Sequence, residues 1–415
     1  MTDNNALKLA CIGGGTGLSS LLSGIKKYTS AKRDQSEIID INNLAAVVSV
    51  FDDGGSTGRL IEEFDVLPPG DTRKLLYSLS DADELLARLF EYRFSSNGDL
   101  GGHTVGNLLL IALTELSEGS FPKAIQAASE LLAVRGRIIP VSLDYTMLCA
   151  ELADGEVVSG ESQIPNRRNR EPIRRVFLAP RENGKAHPHV SPDTYQCVAH
   201  REAIETIENA DVIIIGPGSL YTSIMPNLVV KGIVDAIQAS DAMKIYICNV
   251  MTQPGETDGY SVTDHVQAIY DHADVSLDYV VVNSQPAPDE LVKKYVQKEL
   301  SELLTRIQSR AEEGLTLLED NKVRPTDLVM SLTNYISQIS DETREQMADT
   351  SKVQVMYDFE RDNIEGGHVV EADIIRDTVV IENGVQLNVI RHDPEKLART
   401  LIKVLGDHPK LQETV

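Results

Sequence analysis

The strongest constraint on the fold is a repeated alternation. Short β-branched runs at residues 9–12, 45–51, 212–215, 245–250 and 279–282 each end in a glycine or proline turn and lead into an amphipathic stretch. Strands that alternate with helices in this way form a mostly parallel sheet covered by helices on both faces. The expected fold is therefore α/β, a Rossmann-like three-layer arrangement. In such sheets ligands bind outside the carboxyl ends of the strands, so the residues that follow each run are the functional candidates.

Two stretches break the pattern. Between residues 140 and 180, "VSLDYTMLCAELADGEVVSGESQI" and "IRRVFLAP" predict a small β-rich, antiparallel excursion with a tight turn at Asp154-Gly155. Over residues 298–352, "KELSELLTRIQSRAEEGLTLLED" places Leu300, Leu303, Leu304 and Ile307 on one face of a helix and predicts a helical insertion. A β pattern then resumes in "VQVMYDF", "VVEADII" and "VVIENGVQLNVI", before a closing helix "DPEKLARTLIKVL". Residues 1–297 with 353–415 are thus expected to form one domain, interrupted by the insertion.

Charge and composition exclude several classes. The 415 residues carry a formal charge of -24, which argues against nucleic acid as a main partner, because phosphate-backbone binding rests on clustered Lys and Arg. No run approaches the roughly 20 apolar residues of a membrane span. The start "MTDNNALK" lacks the basic and hydrophobic regions of a secretory signal. Cys11, Cys149, Cys197 and Cys248 are scattered and mostly lie in apolar runs. They are read as buried, reduced thiols of a cytosolic protein.

At the end of the first run, Gly13, Gly14, Gly15 and Gly17, with Thr16 between them, form a turn into a helix. Glycines let a backbone approach a ligand closely, and helix N-terminal N–H groups favour an anion. The dinucleotide spacing G-x-G-x-x-G nevertheless fails, since its last position is Leu18 counted from Gly13 and Ser20 counted from Gly15; the phosphate-loop motif G-x-x-x-x-G-K-[ST] is absent too. The second run ends in "DDGGSTGRL". Its paired Asp52 and Asp53 are candidates for magnesium ligation or for sugar hydroxyls, with helix capping by one of them as the plain alternative. "LPPGDTRKLL" places Asp71 and Thr72 at a helix start, and "GGHTVGNLLL" does the same for His103, Thr104 and Asn107. A later strand end, "IIIGPGSLYTSIMPNL", offers Gly216, Gly218 and Ser219 as a second anion nest. "CNVMTQPGETDGYSVTDHV" adds Gln253, Glu256 and Tyr260 before a helix capped by Ser261 or Thr263. His265 and His272 read as helix surface or packing, and the basic run "NRRNREPIRR" as a solvated loop, with an anion contact as the alternative. Hydrolase and redox-thiol motifs are lacking.

Taken in order, "GGGTGLSSLL", "DDGGSTGRL", "LPPGDTRK", "GHTVGNLLL", "IGPGSLYTSIMPNL" and "NVMTQPGETDGY" resemble the gluconeogenesis factor family, the YvcK-type branch of the CofD-like superfamily. The resemblance runs from about residue 7 to 297 and resumes at about 353; the segment 298–352 departs from it. It implies a cytoplasmic bacterial protein required for cell shape and wall synthesis under gluconeogenic growth, one that binds UDP-sugars, notably UDP-N-acetylglucosamine, with no established catalysis. It also implies that Gly13 to Gly17, Asp52, Asp53, Asn107, Gly216, Gly218 and Ser219 surround the nucleotide, with Tyr260 and Arg391 as further contacts. Cell-wall synthesis proteins and a second copy of the chain are the candidate partners. The related CofD branch implies an alternative, a magnesium-dependent phosphotransferase of the 2-phospho-L-lactate transferase type acting on a nucleotide diester.

Overall fold

The computed structural model describes residues 6–29, 39–95, 98–182, 185–186, 195–293, 353–382 and 385–412, together with short stretches between 311 and 333. Most of the expected insertion at 298–352 lies outside the described residues; the described residues 325–331 are helical.

Seven strands form the main sheet: β1 (Leu7–Gly13), β2 (Ile39–Val48), β3 (Arg137–Pro140), β8 (Val212–Ile215), β9 (Met243–Ile247), β10 (Tyr279–Asn283) and β11 (His368–Ala372). Their order is β11-β10-β9-β8-β1-β2-β3, and every pairing is parallel. Burial on both faces explains the sequence of the inner strands. In β8 all of "VIII" is buried, and in β1 only Lys8 reaches solvent. The chain builds outward from β1 through β2 and β3, then returns to place β8 on the other side of β1. The strand order reverses between β1 and β8, so a crevice opens at their carboxyl ends.

A second sheet, ordered β5-β4-β6-β7, is made by β4 (Thr146–Leu152), β5 (Val157–Ser159), β6 (Ile173–Glu182) and β7 (Lys185–Ala186). It is the antiparallel excursion expected from the sequence, and Gly155 turns its first hairpin with φ +88. β12 (Ile375–Glu382) and β13 (Val385–His392) form a separate hairpin.

The main helices are α1 (Gly15–Tyr28), α2 (Gly55–Phe64), α3 (Gly70–Leu79), α4 (Glu84–Glu91), α5 (Val105–Leu116), α6 (Phe121–Leu131), α7 (Arg201–Glu208), α8 (Met225–Leu228), α9 (Ile233–Ala239), α10 (Val262–His272), α11 (Pro394–Gly406) and α12 (Pro409–Gln412). In α1, Leu18, Leu21, Leu22 and Ile25 are buried at helical spacing, and the helix packs against α3 and α11. Close approach to α11 requires Gly24, where a side chain would strike the backbone of Pro394.

Three expectations change. The short β3 was not anticipated as a strand of the main sheet. Residues 353–359, expected as a strand, are turn and coil with a single bridge from Gln354 to Met251. Their apolar residues Val353 and Val355 are buried, and their backbones bond to Thr252 and Val250 beyond β9, where they cover a loop instead of extending a sheet. The second and fourth runs also leave their ladders early, at Val48 and Ile247. All four cysteines are buried and unpaired, as expected.

Candidate functional site

An open cleft of about 430 Å³ lies at the reversal point. Its floor is the turn from β1 into α1. The helix starts at Gly15 behind Gly14, with no side-chain cap and no acidic residue in its first turn. Its first N–H groups therefore have no side-chain partner at the cap, which leaves them suited to an anion. α4, α5, α10 and α11 carry side-chain caps, whereas α2, α3 and α6 to α9 lack one as α1 does, so it is the opening of α1 into the cleft that sets it apart. Gly15 adopts φ +64, a left-handed conformation that glycine takes without strain.

Gly17 has a different task. A side chain there would collide with the backbone of Pro217 and come within 2.9 Å of the Gly218 Cα. Its absence lets the loop after β8 lie directly on the start of α1. Gly218, Ser219 and Ser223 of that loop line the cleft opposite Gly14 to Gly17. Two glycine-bearing loops are thereby pressed into one surface.

One wall is acidic. Asp52 follows β2, accepts from Gly54 N and Thr57 Oγ1 at 2.9 Å each, and faces Asp71 at the start of α3. Burial, and then the neighbouring Asp71 charge, push the Asp52 carboxyl above its ordinary range. Lys74 donates to Asp71 Oδ1 at 2.9 Å and partly offsets this charge. Glu161, from the turn after β5, completes the wall. Burial raises its pKa to about 9, with Asp52 and Asp71 adding to the effect, so it is neutral at pH 7. The far wall is formed by residues 249–253 after β9 and by Ile390, Arg391 and His392 of the β12–β13 hairpin. His392 is buried and its Nε2 donates to Cys248 O at 3.1 Å, which ties this hairpin to the sheet.

The structure therefore gathers Gly14, Gly15, Thr16, Gly17, Asp52, Gly218, Ser219 and Arg391 around one space. Gly13 and Gly216 lie just behind it, bonded through the backbone to Ser49 and Ile12. The other candidates sit apart. Asp53 turns toward the small antiparallel sheet, where its Oδ1 accepts from Ser162 N at 2.8 Å. Asp71, and not Asp53, is thus the carboxylate beside Asp52 in the acidic wall. Asn107 is buried and donates to Ser56 Oγ at 3.1 Å, and Ser56 in turn contacts His103 Nδ1 at 2.9 Å. Tyr260 does not line the cleft; its hydroxyl pairs with that of Tyr221 at 2.9 Å, behind the loop that carries Ser219. Glu256 holds the same loop, accepting from Tyr221 N at 3.2 Å and Thr222 Oγ1 at 3.1 Å and from Gln253 Nε2.

His265 and His272 pack as expected. The His272 Nδ1 donates to Ala268 O, and its Nε2 accepts from Val176 N. The basic run is not a solvated loop throughout. Arg167 is 8% exposed and bonds to Ile164 O and Gly255 O, while Arg174 and Arg175 pair with Glu151. Lys74 and Glu161 escaped the sequence reading. Lys74 lies one helical turn beyond Asp71, a spacing that could have flagged it; Glu161 comes from the other sheet and has no local signal. Among the described residues, no group of three or more His, Cys, Asp or Glu side chains is arranged to hold a metal ion. None of the described helices is long and apolar enough to cross a membrane.

A parallel sheet with helices on both faces and a polar cleft at its reversal point defines a Rossmann-like α/β protein. Its sequence matches, over residues 9–323, the family model described as 2-phospho-L-lactate transferase CofD. A gluconeogenesis factor from Halalkalibacterium halodurans is 41% identical over 340 residues, 82% of this chain and 96% of the relative. Its counterpart from Bacillus subtilis is 43% identical over 317 residues, covering 76% and 91%. A crystal structure of a upf0052 family member from Bacillus halodurans aligns with TM-score 0.70 at 35% identity, over 96% of this chain and 99% of that one. The chain belongs to the gluconeogenesis factor family of the CofD-like superfamily.

Proposed function

We propose that the protein is a cytoplasmic UDP-sugar-binding regulator, with UDP-N-acetylglucosamine as its foremost ligand, and that it adjusts cell shape and wall synthesis to precursor supply under gluconeogenic growth. The observation that carries this reading is the start of α1, which has no side-chain cap and faces both the Gly218–Ser219 loop and Arg391 across the cleft. In a chain of formal charge -24, this is where local donors converge on an anion. A diphosphate here would take backbone N–H groups from both loops and a charged contact from Arg391. Cell-wall synthesis proteins are the proposed partners, and a homo-oligomer is the proposed assembly.

Magnesium fits the cleft as a companion of the ligand. It is commonly held by one or two carboxylates together with substrate phosphates. Asp52 and Asp71 would supply those carboxylates, although Lys74 already bonds to Asp71.

A second reading is favoured by the acidic wall. Glu161, which lines the cleft beside Asp52 and Asp71, would be the proton donor during transfer of a phosphorus-bearing group, as in a CofD-type transferase. Calorimetry with UDP-N-acetylglucosamine, GDP and NAD, each with and without magnesium, separates the two. Tight UDP-sugar binding without turnover supports the regulator. Metal-dependent consumption of a nucleotide diester overturns it in favour of the transferase.

A further inference from the structure

Beside the cleft lies a second cavity of about 220 Å³, bounded by α2, the loop before α3 and the strands β4 and β6. Asp52 lines both spaces. So does one turn of the small sheet, since Glu161 faces the cleft while Ser159, Gly160, Ser162 and Gln163 line the second cavity. The two spaces therefore share a wall made of Asp52 and this turn.

We infer that the second cavity is the subsite for the pyranose ring of the nucleotide sugar, an inference that rests on the cleft holding the nucleotide diphosphate. Its size suits a single ring. It falls below the roughly 300 Å³ at which pockets for drug-sized ligands begin. Its lining is of two kinds. Phe51, Ile61 and Pro68 give an apolar side, whereas Asp53, Ser162 and Gln163 offer the acceptors and donors that sugar hydroxyls use. Asp53, which the cleft leaves out, thereby acquires a role.

Arg181 supplies the remaining group. It is 7% exposed, its Nη2 donates to Val66 O at 2.7 Å, and its guanidinium lies 5.4 Å from the centre of the Tyr145 ring. Its Nε is buried and has no hydrogen-bond partner among the described residues. That Nε has almost no accessible surface, so what Arg181 offers the cavity is the rest of its guanidinium, set among the polar lining groups.

Calorimetry on the full chain with UDP, UDP-glucose and UDP-N-acetylglucosamine tests the assignment. The acylamino sugar should bind at least tenfold more tightly than UDP. Met147→Trp, which fills the cavity from β4, should erase that gap and leave UDP affinity unchanged. Should Met147→Trp fail to fold, the exposed rim variant Gln163→Ala is expected to reduce the gap at least threefold. If UDP binds but the sugar adds nothing, or if the gap survives these substitutions, the subsite is refuted and the cleft reading stands. If neither UDP nor its sugars bind, the cleft reading itself fails.

Discussion

Glu256 offers the sharpest test of how the cleft is held together. Its carboxylate lies under the loop after β8 and accepts from Tyr221 N, Thr222 Oγ1 and Gln253 Nε2. Burial outweighs those bonds and raises its pKa from 4.5 to about 7. An acid with a raised pKa makes the folded state retain a proton that the unfolded chain has already released. Stability therefore falls as pH rises from about 4.5 to about 7, and levels off above that. At about 1.4 kcal/mol for each pH unit between the two values, the loss amounts to about 3 kcal/mol. Glu256→Gln cannot titrate. Its amide can still accept through oxygen and can donate to Thr222, so the substitution adds a pH-independent offset of about 1 kcal/mol. Urea unfolding of both proteins from pH 4.5 to 8.5 isolates the effect, because other titrating groups cancel in the difference. The variant should gain about 3 kcal/mol relative to the parent across that interval. Parallel stability curves would refute the claim that this buried carboxyl is strained by ionisation.

Three further outcomes follow from the same geometry. Gly17→Ala forces a methyl group into the Pro217–Gly218 backbone and should cost about 1–3 kcal/mol in unfolding free energy, with weaker UDP binding in calorimetry. Arg391→Ala should weaken UDP binding by about 1.5–3 kcal/mol, the range for a charged hydrogen bond, while circular dichroism stays unchanged. Tyr260→Phe removes the hydroxyl bond to Tyr221 and should change UDP affinity less than threefold. Tyr260→Ala, which also removes the ring, should weaken it more, since Tyr260 acts through the loop; equal losses in both variants would instead mark the hydroxyl as a direct ligand contact.

What could be read from the sequence was whatever burial imprints locally. β8 was legible because a strand buried on both faces must be apolar throughout, as "VIII" is. β3, "RIIP", is equally short but opens on an exposed Arg and closes on a Pro, so only two of its residues carry a strand-like apolar signal. The doublet Asp52-Asp53 was misleading for a geometric reason. Asp52 lines the cleft and is held by Gly54 and Thr57, whereas Asp53 turns to the small sheet and accepts from Ser162 N. The carboxylate that meets Asp52 comes from Asp71, at the start of α3 and beyond the whole of α2, and the neutral acid beside them from Glu161, in the turn after β5. Convergence of this kind is a property of topology and leaves no spacing in the sequence to detect.

The glycine turn after β1 shows how a motif can fail its pattern and still serve the same end. In the dinucleotide fingerprint the third glycine allows close packing of helix on strand. Here that position, counted from Gly13, is Leu18, which is fully buried beneath the turn. The close approach has moved one residue earlier, to Gly17, and its partner is the loop after β8. The turn is thus built to dock on a second loop. An anion bound in the cleft would be held between two backbone surfaces locked to each other, and each of them is braced from behind. Gly13 is bonded to Ser49 on one side, and Tyr221 to Glu256 on the other. A nicotinamide-type site needs only the first of these surfaces. The second, together with the hairpin that carries Arg391, adds lining to the cleft that a nicotinamide-type site does not need.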